Sequence, residues 1–166
     1  MAQRLSAKVG SLKVTLAFAG ICMSSLAAQD AVIVPLAERA AGAERVIVGR
    51  VAEIKPLWRV NEFGDRLIVS RVHVIVDEML KGPAQSTLDL EVEGGSIGGL
   101  TLHVSDQEPL SPGDRGVFYV ARDQQGTFVP HLRGQGFLRL DSAGRVPNSS
   151  LTLDEIRRTV ASSRGR

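Results

Sequence analysis

Beyond residue 44 the chain is written in short apolar runs, most of them alternating, each closed by glycine, proline or acidic residues. Apolar side chains at every second position mark a strand with one face against a core and the other against water. Val46 to Ile54 is rich in β-branched residues and alternates past Gly49, which places a bend or bulge at that glycine. Asn61 to Asp65 reads as a loop, and Arg66 to Asp77 as the longest strand. In that strand Ile68, Ser70, Val72, Val74 and Val76 share one face, while Arg71, His73 and Asp77 share the other. Met79-Leu80-Lys81-Gly82-Pro83 ends it in a turn. Thr87 to Glu93 turns Leu88, Leu90 and Val92 inward, and the glycine-rich corner 94–99 leads to a strand from Leu100 to Val104. Pro112-Gly113-Asp114 introduces the apolar run Gly116 to Ala121, Gln124-Gln125-Gly126 makes a hairpin to Phe128 to Leu132, and Gly136 to Leu140 is the last strand.

Two helices bracket these strands. Pro35 suits a first helical turn and Gly42 a C-terminal stop, which predicts a short helix from Pro35 to Ala41. Near the other end Thr152-Leu153-Asp154-Glu155 is a capping box, with Leu151 and Ile156 at the staple positions and Val160 one turn on. No helix separates successive strands, so the pattern predicts a mainly β fold, a small five-stranded OB-fold-like β-barrel with a short N-terminal helix and a C-terminal helix.

The first residues follow another pattern. Arg4, Lys8 and Lys13 are basic, Val14 to Met23 is apolar, and Ser25-Leu26-Ala27 places small side chains where a signal peptidase inspects them. The apolar stretch is about fifteen residues, short of the ~20 that span a bilayer. The chain therefore divides into a signal peptide (1–28), a leader and short helix (29–44), a β-barrel domain (45–148), and a C-terminal helix with a frayed tail (149–166). After cleavage no membrane span is expected, and the destination is the periplasm or the medium.

Removing the signal changes the bulk chemistry. The full chain has 20 basic and 18 acidic residues; without Arg4, Lys8 and Lys13 the balance is 17 to 18, near −1. A near-neutral domain lacks the charge expected of a nucleic-acid binder. The single cysteine, Cys22, leaves with the signal, so the exported domain holds itself together by its core without disulfides.

The segment Ala43-Glu44-Arg45-Val46-Ile47-Val48-Gly49-Arg50-Val51, the alternating strand Arg66 to Asp77 and the Met79-Leu80-Lys81-Gly82-Pro83 turn resemble the start of the inhibitory domain of tissue inhibitors of metalloproteinases (TIMPs). The resemblance covers about forty residues and implies an OB-fold-like barrel. The remainder, with Pro112-Gly113-Asp114 and Gly134-Gln135-Gly136-Phe137, is similar to bacterial exported proteins of uncharacterised function. In the inhibitor family a disulfide-locked N-terminal cysteine presents its amine and carbonyl to the protease zinc. This chain has no cysteine after the signal, and its new N-terminus lies on a leader before Pro35. A mobile leader loses ordering entropy on binding, so the resemblance carries the barrel and not the inhibition.

Candidate chemistry is sparse. Gly94-Gly95-Ser96-Ile97-Gly98 matches the G-x-S-x-G pattern of serine hydrolases, with Asp106, Asp114 or Asp123 and then His131 following in order. That motif needs a strand-to-helix turn, whereas β-rich sequence follows here. His73, His103 and His131 contain no short-spaced pair of the kind zinc sites use. No Gly-Lys-Ser/Thr follows the glycine corner, which excludes a phosphate loop. Asp89, Glu91 and Glu93 form a row that reads as the solvent side of a half-buried strand. Trp58 and Phe63 flank the 61–65 loop and form the candidate interaction surface, with closure of the barrel end as the other reading of Trp58. The expectation is an exported, non-enzymatic domain without cofactor or metal that contacts another exported or envelope protein. A hydrolase built on Ser96 and a metalloprotease-inhibitor-like protein are the alternatives.

Overall fold

A computed structural model describes residues 33–61 and 63–163. The expected signal peptide, the leader up to residue 32 and the last three residues of the tail lie outside that range. The elements run α1 (Leu36–Gly42), β1 (Arg45–Val60), β2 (Arg66–Lys81), β3 (Thr87–Glu93), β4 (Gly95–Ile97), β5 (Leu100–Leu102), β6 (Arg115–Arg122), β7 (Phe128–Pro130), a 3-10 turn (Arg133–Gly136), β8 (Phe137–Arg139) and α2 (Leu153–Ser163). The protein is mainly β with two helices, one near each end of the described chain.

One antiparallel sheet has the order β3-β2-β1-β6-β7, with β8 also paired to β6; β4 and β5 form a separate hairpin. The expected barrel is not closed by hydrogen bonds. The end strands β3 and β7 approach within 8 Å, Cα to Cα, but share no ladder. The cause is local: β7 is three residues long, after which Leu132 and Arg133 adopt left-handed backbone (φ 60° and 51°) and the chain turns away. An ion pair from Arg133 to Glu93, 3.0 Å, crosses the seam where a ladder would have run.

The start of β1 (Val46–Val48) and β6 lie in the middle of this sheet with both faces covered, which explains why these stretches read as apolar runs. On the outer face Val46, Val48, Val117 and Tyr119 pack with Ala40 of α1 and with Leu153, Ile156 and Val160 of α2. On the inner face Ile47, Val51, Phe118 and Val120 meet Val72, Val74, Leu88 and Leu90. Gly49 marks the expected bulge: the β1–β2 register shifts between Val48 and Gly49, and a Cβ there would lie 2.6 Å from the Ile75 carbonyl oxygen.

The helices are tied down by polar contacts. Thr152 and Glu155 make the reciprocal cap, with the Thr152 N–H donating to Glu155 Oε2 (2.8 Å) and the Glu155 N–H to Thr152 Oγ1 (3.3 Å). Lys81 Nζ donates to the carbonyls of Ala40, Ala41 and Ala43 at 2.6–3.0 Å, placing a cation at the carbonyl end of α1. Arg39 is only 7% exposed, and burial lowers its pKa. The neighbouring Tyr119 phenol is pushed up to about 12, chiefly by burial, with the Arg39 charge opposing.

Several elements differ in extent from expectation. β1 does not end near Ile54 but runs to Val60, and β2 continues to Lys81. The glycine corner is itself a small hairpin: Gly95–Ile97 pairs with Leu100–Leu102 around Gly98 and Gly99. Among the described residues no helix is long and apolar enough to cross a membrane.

Candidate functional site

β1 is paired with β6 only from Arg45 to Arg50, whereas its ladder with β2 continues to Val60↔Arg66. Past the link between Val51 and the 113–114 turn, the second edge of β1 has no partner strand among the described residues. Which backbone groups face that edge follows from two observations. The Ile68 carbonyl accepts the Gly94 N–H (2.9 Å), so Ile68 directs its backbone toward β3. Its partner Trp58 is therefore in a non-hydrogen-bonded pair across β1–β2 and directs its own N–H and carbonyl to the free edge. By the alternation of the strand Val60 does the same, and so does Pro56, which has no N–H to offer. A proline inside a strand is compatible with this edge and no other, which is why β1 passes through Pro56 unbroken.

The side chains beside this edge are large, apolar and accessible. Trp58 is 38% exposed, Val60 60% and Phe63 80%. The Arg66 guanidinium lies over the Trp58 ring, 4.6 Å from its centroid, a cation–π contact. Phe63 stands on a turn that is already ordered. Asn61 Oδ1 accepts the N–H groups of Phe63 (3.0 Å) and Asp65 (2.8 Å), while Gly64, at φ 87°, donates to the Asn61 carbonyl. A backbone held in this way has little left to order on binding. The β4–β5 hairpin approaches β1 and β2 and carries another exposed apolar residue, Leu100, 61% accessible. On the opposite side a cleft of about 160 Å³ separates Arg59 and Asn61 from Asp123 and Gln125 of the β6–β7 turn.

Charged groups brace the hairpin from its outer face. Glu91 accepts from Arg59 Nε (2.8 Å) and from an Arg71 guanidinium nitrogen (3.0 Å), linking β1, β2 and β3. The hydrogen bond from Arg59 lowers the Glu91 pKa, against a smaller desolvation effect, and the carboxylate in turn raises that of Arg59. His73 Nδ1 and Asp89 Oδ1 are 2.6 Å apart on the same face. Each acid of the Asp89, Glu91 and Glu93 row thus has a basic partner, with Glu93 taken by Arg133.

The other candidates are dispersed. Ser96 Oγ shares a hydrogen bond with Thr101 Oγ1 (2.8 Å) across β4 and β5, and no helix follows it. His131 packs against Gly42 beside Lys81, and burial followed by the lysine charge lowers its pKa. Asp114 pairs with Arg139, Asp106 with Arg133 (3.2 Å), and Asp123 closes its own turn by accepting from the N–H groups of Gln125 and Thr127. Among the described residues no three His, Cys, Asp or Glu side chains form a metal-binding group.

One expectation about the leader changes at its end. Val34 is pinned, not loose: its N–H donates to Gln135 Oε1 (2.8 Å) and its carbonyl accepts from Arg39 Nε (2.7 Å). Arg39 also donates to the Gln135 carbonyl (3.2 Å), so side-chain hydrogen bonds tie the residue before Pro35 to the 3-10 turn.

No protein-family model matches the chain, and no curated protein is significantly similar to it. The sequence pattern marks the first strand only over Val46 to Ile54 and so leaves the free edge of β1, which lies beyond it, unmarked. The signal that could have revealed it is Pro56 flanked by Ile54, Leu57 and Trp58, a proline within a sequence that otherwise continues as strand.

Proposed function

We propose that the protein is an exported, non-enzymatic binding domain that takes an extended segment of another exported or envelope protein along the free edge of β1. The observation that carries this reading is the coincidence, over residues 56–63, of an unpaired strand edge with accessible Trp58, Val60 and Phe63. Strand addition draws its affinity from main-chain hydrogen bonds and its selectivity from alternate side chains. Here the Trp58 and Val60 backbones supply the former, and the aromatic rings the latter. Pro56 limits the edge, blocking a continuous ladder with a second copy of the same strand. Export rests on the basic, apolar and small-residue zones of residues 1–28, and it makes protein in the same compartment the partner.

The sheet is read as an OB-fold-like barrel of TIMP type. Support comes from the order β3-β2-β1-β6-β7, from a long first strand shared between two neighbours, and from the proximity of the end strands. OB folds are partly open barrels, in which such a seam is expected.

A photo-crosslinking residue at position 63 in the native export compartment should capture one protein that the same probe at Ile75 does not. The mature N-terminus, read by mass spectrometry, should begin directly after Ala27 or Ala28. Trp58→Ala with Phe63→Ala should weaken the captured complex at least ~10-fold, since buried aromatic anchors carry most of an interface's energy. A complex of unchanged affinity ends the proposal.

A second reading, inhibition of a metalloprotease by the exported N-terminal end, draws on the clamp at Val34. It requires that a stoichiometric excess slow at least one member of a metalloprotease panel, and full rates throughout discard it.

A further inference from the structure

With the signal removed after Ala27 or Ala28, a short leader precedes the pinned Val34 and ends in Gln29-Asp30-Ala31-Val32-Ile33. Ile33 is large and apolar, yet it is 78% exposed. Extended at ~3.3 Å per residue, such a leader reaches about 17–20 Å. That is enough to lie along the open stretch of β1 from Pro56 to Val60.

Within one copy the leader starts on the far side of the sheet from that edge. Val34 is held by Gln135 of the 3-10 turn between β7 and β8. Gly116 to Phe118 of β6 pair with β1 on one side and with β8 on the other, so β6 stands between the turn and β1. A second copy brings its leader to the edge without that obstacle.

The leader sequence selects one register on the edge. An added strand sets every second side chain beside those of Pro56, Trp58 and Val60. Asp30 or its neighbours must take that face, and a carboxylate loses hydration against apolar groups, so Gln29, Ala31 and Ile33 take it. Asp30 and Val32 then fall on the other face, beside Leu57 and Arg59. Antiparallel addition with Ala31 opposite Trp58 joins Asp30 to Arg59 and Val32 to Leu57, whereas parallel addition crosses these pairs and sets the carboxylate beside Leu57. Arg59 has charge to offer, because the Glu91 carboxylate is shared between the guanidinium groups of Arg59 and Arg71. In this register Ala31 exchanges both main-chain hydrogen bonds with Trp58 and Gln29 both with Val60, while Pro56 only accepts, from Ile33. A ladder this short is weak, so the edge is open in dilute protein.

We infer that the leader of a second copy, residues 29–33, adds antiparallel to the open edge of β1 with Ala31 opposite Trp58, and covers it in concentrated protein until a partner segment takes its place. This rests on the reading of that edge as a strand-binding site and adds the element that regulates it.

The exported domain has no cysteine, so introduced ones report the register directly. Full exported domains carrying Val32→Cys and Leu57→Cys, mixed and oxidised, should give a disulfide-linked mixed dimer, since a non-hydrogen-bonded pair brings its Cα atoms to about 4.5 Å. Val32→Cys mixed with Arg59→Cys, two residues out of register, should give at least ~10-fold less. Asp30→Arg added to the Val32→Cys copy should lower the yield with Leu57→Cys by a similar factor, because like charges then meet at Arg59. In the cysteine-free domain, protection of the Trp58 and Val60 amides against exchange should rise with protein concentration, and Asp30→Arg should remove the rise; this measurement decides if a cysteine variant does not fold. Equal yields with Leu57→Cys and Arg59→Cys, or protection indifferent to concentration, overturn the leader as occupant while the open edge, tested by capture at position 63, stands. Trp58 and Val60 amides already protected in dilute protein remove the edge and this inference with it.

Discussion

The two halves of the β1–β2 hairpin are built alike and used differently. Both are antiparallel ladders rich in apolar residues, although the register shifts at Val46/Ile47, Val48/Gly49 and Val51/Glu53 in the lower half and not at all in the upper. In the lower half, β6 covers the second edge of β1, and Val46, Ile47, Val48 and Val51 are buried. In the upper half no strand among the described residues covers that edge, and Trp58 and Val60 stay accessible. Strand propensity therefore does not decide which apolar residue stabilises the fold. The covering of the edge and of the faces decides it, and that is settled by α1 just before β1 and by β6 and α2 far along the chain.

The sharpest way to break the comparison is to truncate one side chain in each half. Ile47→Ala should destabilise the domain by about 3 kcal/mol in chemical denaturation, the ordinary cost of a cavity in a closed core. Phe63→Ala should change stability by less than about 0.5 kcal/mol, as surface truncations do. Comparable losses at both positions would dissolve the distinction.

A subtler change concerns Pro56. Pro56→Val restores a donor on the free edge and should produce concentration-dependent self-association, visible by light scattering, with little change in folding free energy. The smallest effects concern pH. Because the Glu91 pKa is lowered in the fold, its contribution is present above the usual carboxylate range and is lost as the pH falls through the folded value. His131, also lowered, gives a separate loss that begins as the pH falls below the ordinary histidine range. Glu91→Gln should flatten the stability-against-pH curve in the acidic window, and His131→Asn the one above it.

How much of this was legible in the chain depends on the range of the interactions involved. The inward face Val72, Val74 with Leu88 and Leu90, the Gly49 bulge and the Thr152–Glu155 cap are local patterns, and the sequence shows them as they occur. Closure of the sheet was not legible, because it turns on the left-handed backbone at Leu132 and Arg133, residues with no intrinsic preference for it. Trp58 and Phe63 were singled out from the loop they flank, but the edge beside them depends on where β6 stops pairing. The Val34–Gln135–Arg39 clamp joins positions about a hundred residues apart, and no spacing rule anticipates it.

Amide hydrogen exchange along the upper half of β1 tests the central claim most directly. With the edge open, the N–H groups of Trp58 and Val60 exchange at nearly unprotected rates, while those of Leu57 and Arg59, turned toward β2, are protected. Equal protection at all four positions would mean that the edge is already covered, and the proposed docking of a partner strand would have no place to occur.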